Sequence, residues 1–307
     1  VPSQLASLVR QRMALRLADA YDYSGFGVRS TAVPEMVPGR ALLAGTGQVV
    51  QIARPVDGLA AAAARVAARA TASAATARRP VPIANLATVV QLVELAAPAR
   101  IRDRPWSIPI GVAERTLSAA GLMVYEGEHA LVTGPARSGK STTLLTVAAA
   151  CRTGRPDVSV IAVAGPRSPL AGDASIDEVV APVAVGDKLM PLVGEAAGPD
   201  RLALVLVDDA ESLDDSGGVL DRLSTSDLPG LLFVAAGRND GIRTGYSHWT
   251  RPLRRSKLGV LLRPDVDLDG DILGASLPRR APVAMVPGRG YVVNSGEAEL
   301  IQVALPR

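Results

Sequence analysis

Residues 134–141 read Gly134-Pro135-Ala136-Arg137-Ser138-Gly139-Lys140-Ser141, a glycine-rich loop that ends in a lysine and a serine. The loop fits the complete phosphate-binding pattern G-x-x-x-x-G-K-S/T. The apolar run 130–132 before it predicts a strand, and residues 142–150 after it predict a helix. This context favours a phosphate-binding loop over a Gly/Ser-rich turn that fits the pattern by accident.

The loop predicts how a nucleotide is held. Glycines let backbone N–H groups face a polyphosphate, and the helix that follows adds the positive end of its dipole. Lys140 is predicted to neutralise the β- and γ-phosphates, and Ser141 to ligate Mg²⁺. We therefore predict ATP and Mg²⁺ as ligands. The predicted nucleotide-binding residues are Gly134, Pro135, Ala136, Arg137, Ser138, Gly139, Lys140, Ser141 and Thr142.

Strands and helices alternate over most of the chain after residue 106. The predicted helices are 140–151, 187–197 and 219–224. Continuous apolar strands separated by helices predict an α/β fold, with a mostly parallel sheet covered by helices on both faces and extra edge strands. Ligands of such sheets bind at the carboxyl ends of the strands, where the loop lies. The predicted strands are 107–112, 121–125, 129–133, 158–164, 202–207, 231–235, 259–262, 291–294 and 299–304.

Two acidic residues follow the apolar strand 202–207. A buried strand that ends in a carboxylate supplies what the Mg²⁺ of a nucleotide site needs, so Asp208 is the predicted metal-side residue with Ser141. Asp209 stands where RecA-like P-loop ATPases generally place the glutamate that polarises water. Its shorter side chain withdraws the carboxylate by roughly 1.5 Å, and a displacement near 1 Å costs about a hundredfold in rate. We expect weak hydrolysis, although Asp209 acting as base through a shifted water stays open.

Other polar residues are weaker candidates. Arg238 and Asn239 follow the predicted strand 231–235, as a sensor of the γ-phosphate would, or they are ordinary surface-loop residues. His129 and His248 lie too far from Cys or acidic residues to suggest a zinc site. A basic run predicts an arginine finger, a phosphate-facing patch or a solvated helix face. Its members are Arg251, Arg254, Arg255 and Lys257.

Composition excludes several classes of protein. The 307 residues are 48% hydrophobic, which allows a sizeable core, but only 3% are aromatic. A net charge of +3 is too small to indicate nucleic-acid binding. The single cysteine, Cys151, excludes an intrachain disulfide framework. No apolar run approaches the roughly 18 residues of a membrane helix, so we expect a soluble chain.

An internal repeat predicts the domain organisation. Met-Val-Pro-Gly-Arg at residues 36–40 recurs at 285–289, and each copy is followed by a similar strand that starts at Gln51 or Gln302. Upstream we align residues 15–17 with 260–262. We predict that residues 1–54 are the C-terminal tail of a preceding module and that residues 83–307 are a second, complete module. Residues 55–82 are alanine-rich and are predicted to be a helical connector, or alternatively an ordinary surface helix.

Together, these features resemble the FtsK/SpoIIIE ATPase domains, and most closely the tandem C-terminal modules of the EccC/EssC ATPases of type VII secretion. The resemblance rests on the loop, the Asp208-Asp209 pair, the Pro-Gly-Arg tail and the segments 106–111 and 126–129. It covers nearly all of residues 83–307. It implies a bacterial protein that is cytoplasmic and part of a membrane-anchored chain.

The resemblance also implies partners and a function. They are neighbouring ATPase modules of the same chain, a homo-oligomeric ring, and small secreted helical-hairpin (WXG100-type) substrates. One reading is an ATP-binding module with weak hydrolysis that regulates or docks substrates in a secretion motor. The alternative is an active FtsK-type translocase with DNA as its partner, which Asp209 and the low net charge disfavour. A small-molecule kinase is disfavoured by the paired Pro-Gly-Arg tails.

Overall fold

A computed structural model describes residues 8–9, 11–73, 85–95, 105–245, 247–279 and 283–306. The chain forms two compact units, residues 1–82 and 83–307. Residues 74–82 of the predicted connector, with the predicted boundary near Pro82, lie outside the described residues. In the described part, no helix is both long and apolar enough to cross a membrane.

The described part contains thirteen strands and six α-helices. The strands are β1 (Met13–Ala14), β2 (Arg40–Leu43), β3 (Val49–Gln51), β4 (Trp106–Ala113), β5 (Ala119–Val124), β6 (Ala130–Thr133), β7 (Ser159–Val163), β8 (Glu178–Val180), β9 (Ala203–Val207), β10 (Leu231–Gly237), β11 (Gly259–Leu262), β12 (Arg289–Asn294) and β13 (Glu297–Val303). The helices are α1 (Gly58–Ser73), α2 (Lys140–Gly154), α3 (Val185–Ala196), α4 (Val219–Ser224), α5 (Asn239–Thr244) and α6 (Arg251–Arg255).

The second unit is built on one ten-stranded sheet of order β5-β4-β13-β12-β11-β6-β10-β9-β7-β8. The strands from β11 to β8 in this order are parallel, whereas β5, β4, β13 and β12 are joined by antiparallel pairing. The predicted α/β fold, with a mostly parallel sheet and extra edge strands, is therefore confirmed. Strand β6 lies inside the sheet, so the loop that follows it starts from a rigid position.

Alternation along the strands divides the core into two layers. In β6, Ala130 and Val132 belong to the layer that contains α2, and Leu131 belongs to the opposite layer, which contains residues of α3 to α6. Small aliphatic residues fill both layers, as the low aromatic content requires. Phe233 is one of the few buried aromatic residues, together with Trp106, Trp249 and Tyr291, and it makes edge contacts with the rings of His129 and Trp249. Helices therefore cover both faces of the parallel strands.

The sequence did not predict three of the short elements. Strand β8 is only three residues long and two of them are exposed, so it carries no hydrophobic alternation. Helices α5 and α6 have six and five residues, which is too short to show a helical period. They lie in the opposite layer and cover the sheet beside the loop strand.

The first unit contains a three-stranded antiparallel sheet of order β1-β2-β3 and a small core around Tyr23 and Leu42. Helix α1 is a separate element of this unit, with most of its residues exposed. An ion pair joins Arg65 of this helix to Asp57 just before it.

The sequence repeat is also a structural repeat. Arg40 pairs with Gln51 in the first unit, and Arg289 pairs with Gln302 in the second. In both turns the glutamine Nε2 donates to the proline carbonyl at 3.1 Å. Gly39 and Gly288 have φ angles of 80° and 75°. A Cβ on either glycine would approach the glutamine Nε2 to 2.8 Å, so only glycine fits this turn.

The predicted upstream alignment of the two repeats is wrong by two residues. Ala14 pairs with Leu42, and Leu261 pairs with Tyr291, which stands two residues after the repeat arginine as Leu42 does. Ala14 is therefore the equivalent of Leu261, whereas the alignment had placed Arg16 there. The two paired residues of β1 carry too little hydrophobic pattern to fix the register.

The repeat arginine has a larger role in the second unit. In each copy Nη1 of the arginine donates to the carbonyl five residues earlier, at 2.7 Å for Arg40 and 3.0 Å for Arg289. Arg289 is also buried and donates to Leu86 O (3.3 Å), Ala87 O (2.6 Å) and Gln302 Oε1 (3.1 Å). Burial lowers the pKa of Arg289 from its usual value. This side chain ties residues 86–87 to the C-terminal hairpin.

We expect Arg289→Met to destabilise the second unit by roughly 3 kcal/mol, because it orphans buried carbonyl groups. Trp106 and Trp249 are the only tryptophans and both belong to this unit, so urea unfolding followed by tryptophan fluorescence isolates its stability. Arg40→Met is the matched control and should leave the tryptophan transition in place. An unchanged transition in Arg289→Met would contradict the assigned role.

Candidate functional site

The glycine-rich loop connects β6 to α2 and is tightly packed. A Cβ on Gly134 would collide with Ser138 Oγ and reach Leu262 O at 2.8 Å. Gly139 precedes the helix with φ 106°, a conformation that L side chains rarely adopt. Both pattern glycines are thus required by geometry. Helix α2 begins directly at Lys140, so its free N–H groups face the loop.

Lys140 folds back over the loop. Its Nζ donates to Gly134 O at 3.2 Å and to Pro135 O at 3.1 Å. The ammonium group is therefore held at the mouth of the loop by two backbone carbonyls. Any anion that binds the loop meets a cation already in place.

The carboxylate of Asp208 lies at the carboxyl end of β9, beside the start of α2. Asp208 is buried, and its backbone N–H donates to Val163 O of β7 at 3.0 Å. Ser141 Oγ donates to Asp208 Oδ2 at 2.9 Å and to Oδ1 at 3.1 Å. The predicted metal-side pair is therefore brought together across 67 residues of sequence. Ser168 Oγ also donates to Oδ2, at 2.6 Å.

These groups fit a polyphosphate with Mg²⁺. One hydroxyl and one carboxylate are hard oxygen donors, and Mg²⁺ usually takes one or two carboxylates together with phosphate oxygens and water. The described residues contain no cluster of three or more His, Cys, Asp or Glu side chains that would form an all-protein metal cage. Within this same part of the chain, Thr133 Oγ1 and Ser138 Oγ are buried and lack hydrogen-bond partners. They are spare polar groups at the loop.

The C-terminal turn braces the loop. Gly288 N–H donates to Ser138 O at 2.8 Å, so the second copy of the repeat rests on the phosphate-binding loop. A largely apolar cavity of about 370 Å³ lies beside this contact, against the first turn of α2. Its apolar walls are Val89, Val286, Pro287, Val303, Ala304 and Leu305. Gly139 and Thr142 also line the cavity, so it opens directly beside the loop.

Asp209 is exposed and has a left-handed backbone with φ 51°. Its carbonyl accepts a hydrogen bond from Ser212 Oγ at 2.8 Å, and its carboxylate makes no hydrogen bond in the described part of the chain. Arg137 and Arg263 are also left-handed, with φ angles of 61° and 43°. All three follow carboxyl ends of strands, and backbone strain of this kind is common at functional sites.

Arg238 and Asn239 point to other partners. Arg238 is exposed and pairs with Asp240 at 3.2 Å. Asn239 Nδ2 donates to the buried carboxylate of Asp269 at 2.5 Å, and Arg243 forms an ion pair with the same group. Among the described residues, neither Arg238 nor Asn239 forms a hydrogen bond with the loop. Their assignment as sensors stays a prediction.

The basic run lies on and just after α6. Arg251, Arg255 and Lys257 are exposed, and Arg254 is half-buried with a long bond of 3.5 Å to Ile242 O. The helix is anchored by the buried Leu253. This is the geometry of a solvated helix face, and the arginine-finger reading stays a prediction.

The contacts of His129, His248 and Cys151 indicate structural roles. His129 is buried; its Nε2 lies 2.9 Å from Ser226 O, and Phe233 N–H donates to its Nδ1 at 3.3 Å. Burial lowers the pKa of His248, and its Nδ1 lies 2.9 Å from Thr250 Oγ1. Burial raises the pKa of Cys151 to about 12, so its thiol stays protonated and unreactive.

Sequence reasoning missed two parts of the site. Ser168 lies in the loop after β7 and belongs to no recognisable motif, so nothing in its local sequence links it to Asp208. The repeat at residues 285–289 was noticed, but its contact with Ser138 is visible only in three dimensions. Recurrence of a Pro-Gly-Arg turn was the one signal available for it.

Comparison with known proteins shows a shared fold. The chain is similar to EssC (ATPases 2 and 3) from Geobacillus thermodenitrificans, with a TM-score of 0.65 and 17% identity over 99% of this chain and 62% of that one. It is also similar to Thermomonospora curvata EccC (ATPases 2 and 3) in complex with a signal sequence peptide, with a TM-score of 0.56 and 23% identity over 99% and 60% of the two chains.

A third similar structure is the cytoplasmic domain of the Thermomonospora curvata type VII secretion ATPase EccC. Its TM-score is 0.52, with 25% identity over 95% of this chain and 37% of that one. The chain thus spans about 60% of the length of the first two structures. No protein-family model matches the chain, and no curated protein matches it significantly. The predicted resemblance to EccC and EssC is confirmed at the level of the fold.

Proposed function

We propose that this chain is an ATP-binding ATPase module of a protein-secretion motor. The observation that carries the proposal is the contact of Ser141 with Asp208 at the start of α2, directly after a complete phosphate-binding loop. A carboxylate, a hydroxyl, a lysine and free helix N–H groups at one point form a site for a magnesium-bound polyphosphate. The shared fold of secretion ATPases supports the same function.

Each residue has a role in this proposal. The backbone of residues 134–139 cradles the phosphates, and Thr142 adds a further contact. Lys140 exchanges the carbonyls of Gly134 and Pro135 for the β- and γ-phosphates. Ser141 and Asp208 hold Mg²⁺, which would neutralise phosphate charge when bound. The adenine base of ATP occupies the cavity between Val89, Pro287 and the first turn of α2.

We expect ATP with Mg²⁺, at about a thousand times the dissociation constant, to stabilise the second unit by roughly 4 kcal/mol. That corresponds to about a 10 °C rise in its unfolding temperature. Lys140→Ala should remove the rise, because the phosphates lose their cation. Lys188→Ala, which removes the same charge from an exposed position on α3, is the matched control and should retain it. No rise in the unaltered chain, or the same rise in Lys140→Ala, would overturn the proposal.

We propose that hydrolysis is weak because Asp209 holds its carboxylate short of the attacking water. Its exposed position at the end of β9 agrees with a role at the γ-phosphate, and its left-handed backbone is one that Asp tolerates better than most residues. The competing hypothesis is that Asp209 acts as base through a shifted water. The substitutions Asp209→Glu and Asp209→Asn distinguish these two hypotheses.

We expect Asp209→Glu to raise ATP turnover at least tenfold, measured as phosphate release, because the longer side chain restores roughly 1.5 Å of reach. Asp209→Asn keeps the size and loses the charge. It should change a slow rate little if Asp209 is idle, and should abolish the rate if Asp209 works through a shifted water. Turnover by the unaltered chain within the usual range of roughly 1 to 10³ per second would refute the weak-hydrolysis proposal.

We infer the partners from the proteins that share this fold. The structure of Thermomonospora curvata EccC contains ATPases 2 and 3 in complex with a signal sequence peptide, and that of EssC also contains ATPases 2 and 3. We propose that this module likewise works beside other ATPase modules in a ring of copies, on the cytoplasmic side of a membrane-anchored protein. Its substrates would be small secreted helical-hairpin proteins. Whether it docks them or regulates a neighbouring module is part of the same proposal.

We also propose that residues 1–54 are the tail of a preceding ATPase module. The hairpin of β2 and β3 repeats that of β12 and β13 down to the bond from glutamine to proline. In the second unit β13 also pairs with β4, and β11 also pairs with β6. Strands β3 and β1 of the first unit have only β2 as a neighbour among the described strands. A phosphate-loop unit would supply the missing strands on both sides.

Deletion variants test this boundary. Removing residues 1–54 should leave ATP binding and the tryptophan unfolding transition nearly unchanged, since both report on the second unit. Removing residues 285–307 should unfold that unit, because β12 and β13 join its two halves. Equal damage from the two deletions would mean that the repeat marks two parts of one domain.

A further inference from the structure

Ser168 contacts Asp208, the proposed metal-side residue, from the loop that follows β7. It lies after β7, five residues beyond Val163, whose carbonyl accepts the backbone N–H of Asp208. Its hydroxyl donates to Asp208 Oδ2 at 2.6 Å. That length falls within the short range of hydrogen bonds from a hydroxyl to an ionised carboxylate, which are roughly twice as strong as neutral ones. The bond spans 40 residues of sequence.

The hydroxyl of Ser168 is fixed in its direction. Its Oγ also accepts a hydrogen bond from Leu170 N–H at 3.3 Å, as the cap of the short 3-10 turn Pro169–Gly172. A serine hydroxyl has one proton to donate, so accepting from Leu170 leaves that proton for Asp208. Leu170 is fully buried in the core and anchors the turn. Ser168 is thus held against Asp208 by the packing of this turn.

The two oxygens of Asp208 are loaded unequally. Oδ2 accepts from both Ser168 and Ser141, at 2.6 and 2.9 Å, whereas Oδ1 accepts only from Ser141 at 3.1 Å. An ionised carboxylate has about four lone-pair sites, so Oδ1 keeps most of its acceptor capacity. Ser141 cannot hold this orientation alone, since a hydroxyl that ligates a metal ion takes its position from the ion.

We propose that Ser168 is the positioning residue for Asp208: it pins Oδ2 and so keeps Oδ1 turned toward Mg²⁺ or its water shell. This inference rests on the proposed nucleotide site. Removing the hydroxyl leaves Asp208 free to rotate about its side-chain bonds. Such outer contacts of metal ligands typically change metal affinity by about 10–100-fold. Ser168 is half-buried, so water can partly replace it, and we expect the lower end of that range.

The test separates Mg²⁺ binding from nucleotide binding. A fluorescent ATP analogue is titrated onto the chain in EDTA, and Mg²⁺ is then titrated at a fixed, subsaturating analogue concentration. Ser168→Ala should bind the analogue within about twofold of the unaltered chain in EDTA, and should need about tenfold more Mg²⁺ for half-saturation. Ser168→Thr, which keeps the hydroxyl, should restore the unaltered Mg²⁺ requirement.

A matched control lies in the same loop. Ser175 Oγ donates to Asp173 Oδ1 at 2.7 Å, a serine–aspartate bond of nearly the same length that does not touch Asp208. Ser175→Ala should leave the Mg²⁺ requirement unchanged. Tryptophan fluorescence checks that every variant is folded. If Ser168→Ala does not fold, Ser168→Cys takes its place. Because a thiol is a weaker donor, Ser168→Cys should raise the Mg²⁺ requirement by a smaller factor.

Three results would overturn the inference. They are an unchanged Mg²⁺ requirement in Ser168→Ala, an equal loss of analogue binding with and without Mg²⁺, and the same shift in Ser175→Ala. An unaltered chain that binds no analogue under either condition would overturn the proposed function, and this inference with it. Binding by the unaltered chain with no effect of Ser168→Ala would overturn the inference alone.

Discussion

The buried guanidinium of Arg289 joins the C-terminal hairpin to residues 86–87, which lie more than 200 residues earlier in the sequence. It bonds to the carbonyls of Leu86 and Ala87, to that of Ala284, and to the side chain of Gln302. These bonds fix the turn at residues 285–289. The turn contacts the phosphate-binding loop through the hydrogen bond from Gly288 N–H to Ser138 O. The walls of the proposed base cavity come from the same segments. The site therefore depends on the C-terminal hairpin as much as on the loop.

The first unit uses the same turn, and among the described residues its arginine lacks the further partners of Arg289. Arg40 keeps the bond to the carbonyl five residues earlier, and Gln51 keeps the bond to Pro38, but Arg40 is only half-buried. The local chemistry of the turn is therefore independent of its surroundings. What the second unit adds is burial, and burial makes its carbonyl acceptors costly to leave unpaired. One motif thus serves as a stable local turn and, where it is enclosed, as a structural joint.

Much of this organisation could be predicted from the sequence. The loop, the apolar strand before Asp208 and the alternation of strands and helices carry strong local patterns, and each predicted strand of the second unit is present. Ser168 and Arg289 could not be predicted as site residues, because their partners lie 40 and more than 200 residues away. Short elements such as β8 and α6 escaped because three to five residues cannot display a period.

The resting position of Lys140 sets a threshold for ligands. Its ammonium has two carbonyl partners, so a ligand must offer stronger interactions than those carbonyls do before the lysine moves. A single weakly charged anion compensates little for the loss of the two hydrogen bonds of Lys140, whereas a chain of phosphates forms several strong charge-assisted bonds in their place. Under the proposed function, the loop would discriminate between ligands by their charge density before any contact with a nucleotide base is made. If the loop binds ATP as proposed, selectivity against small anions of low charge would follow from the position of this one lysine.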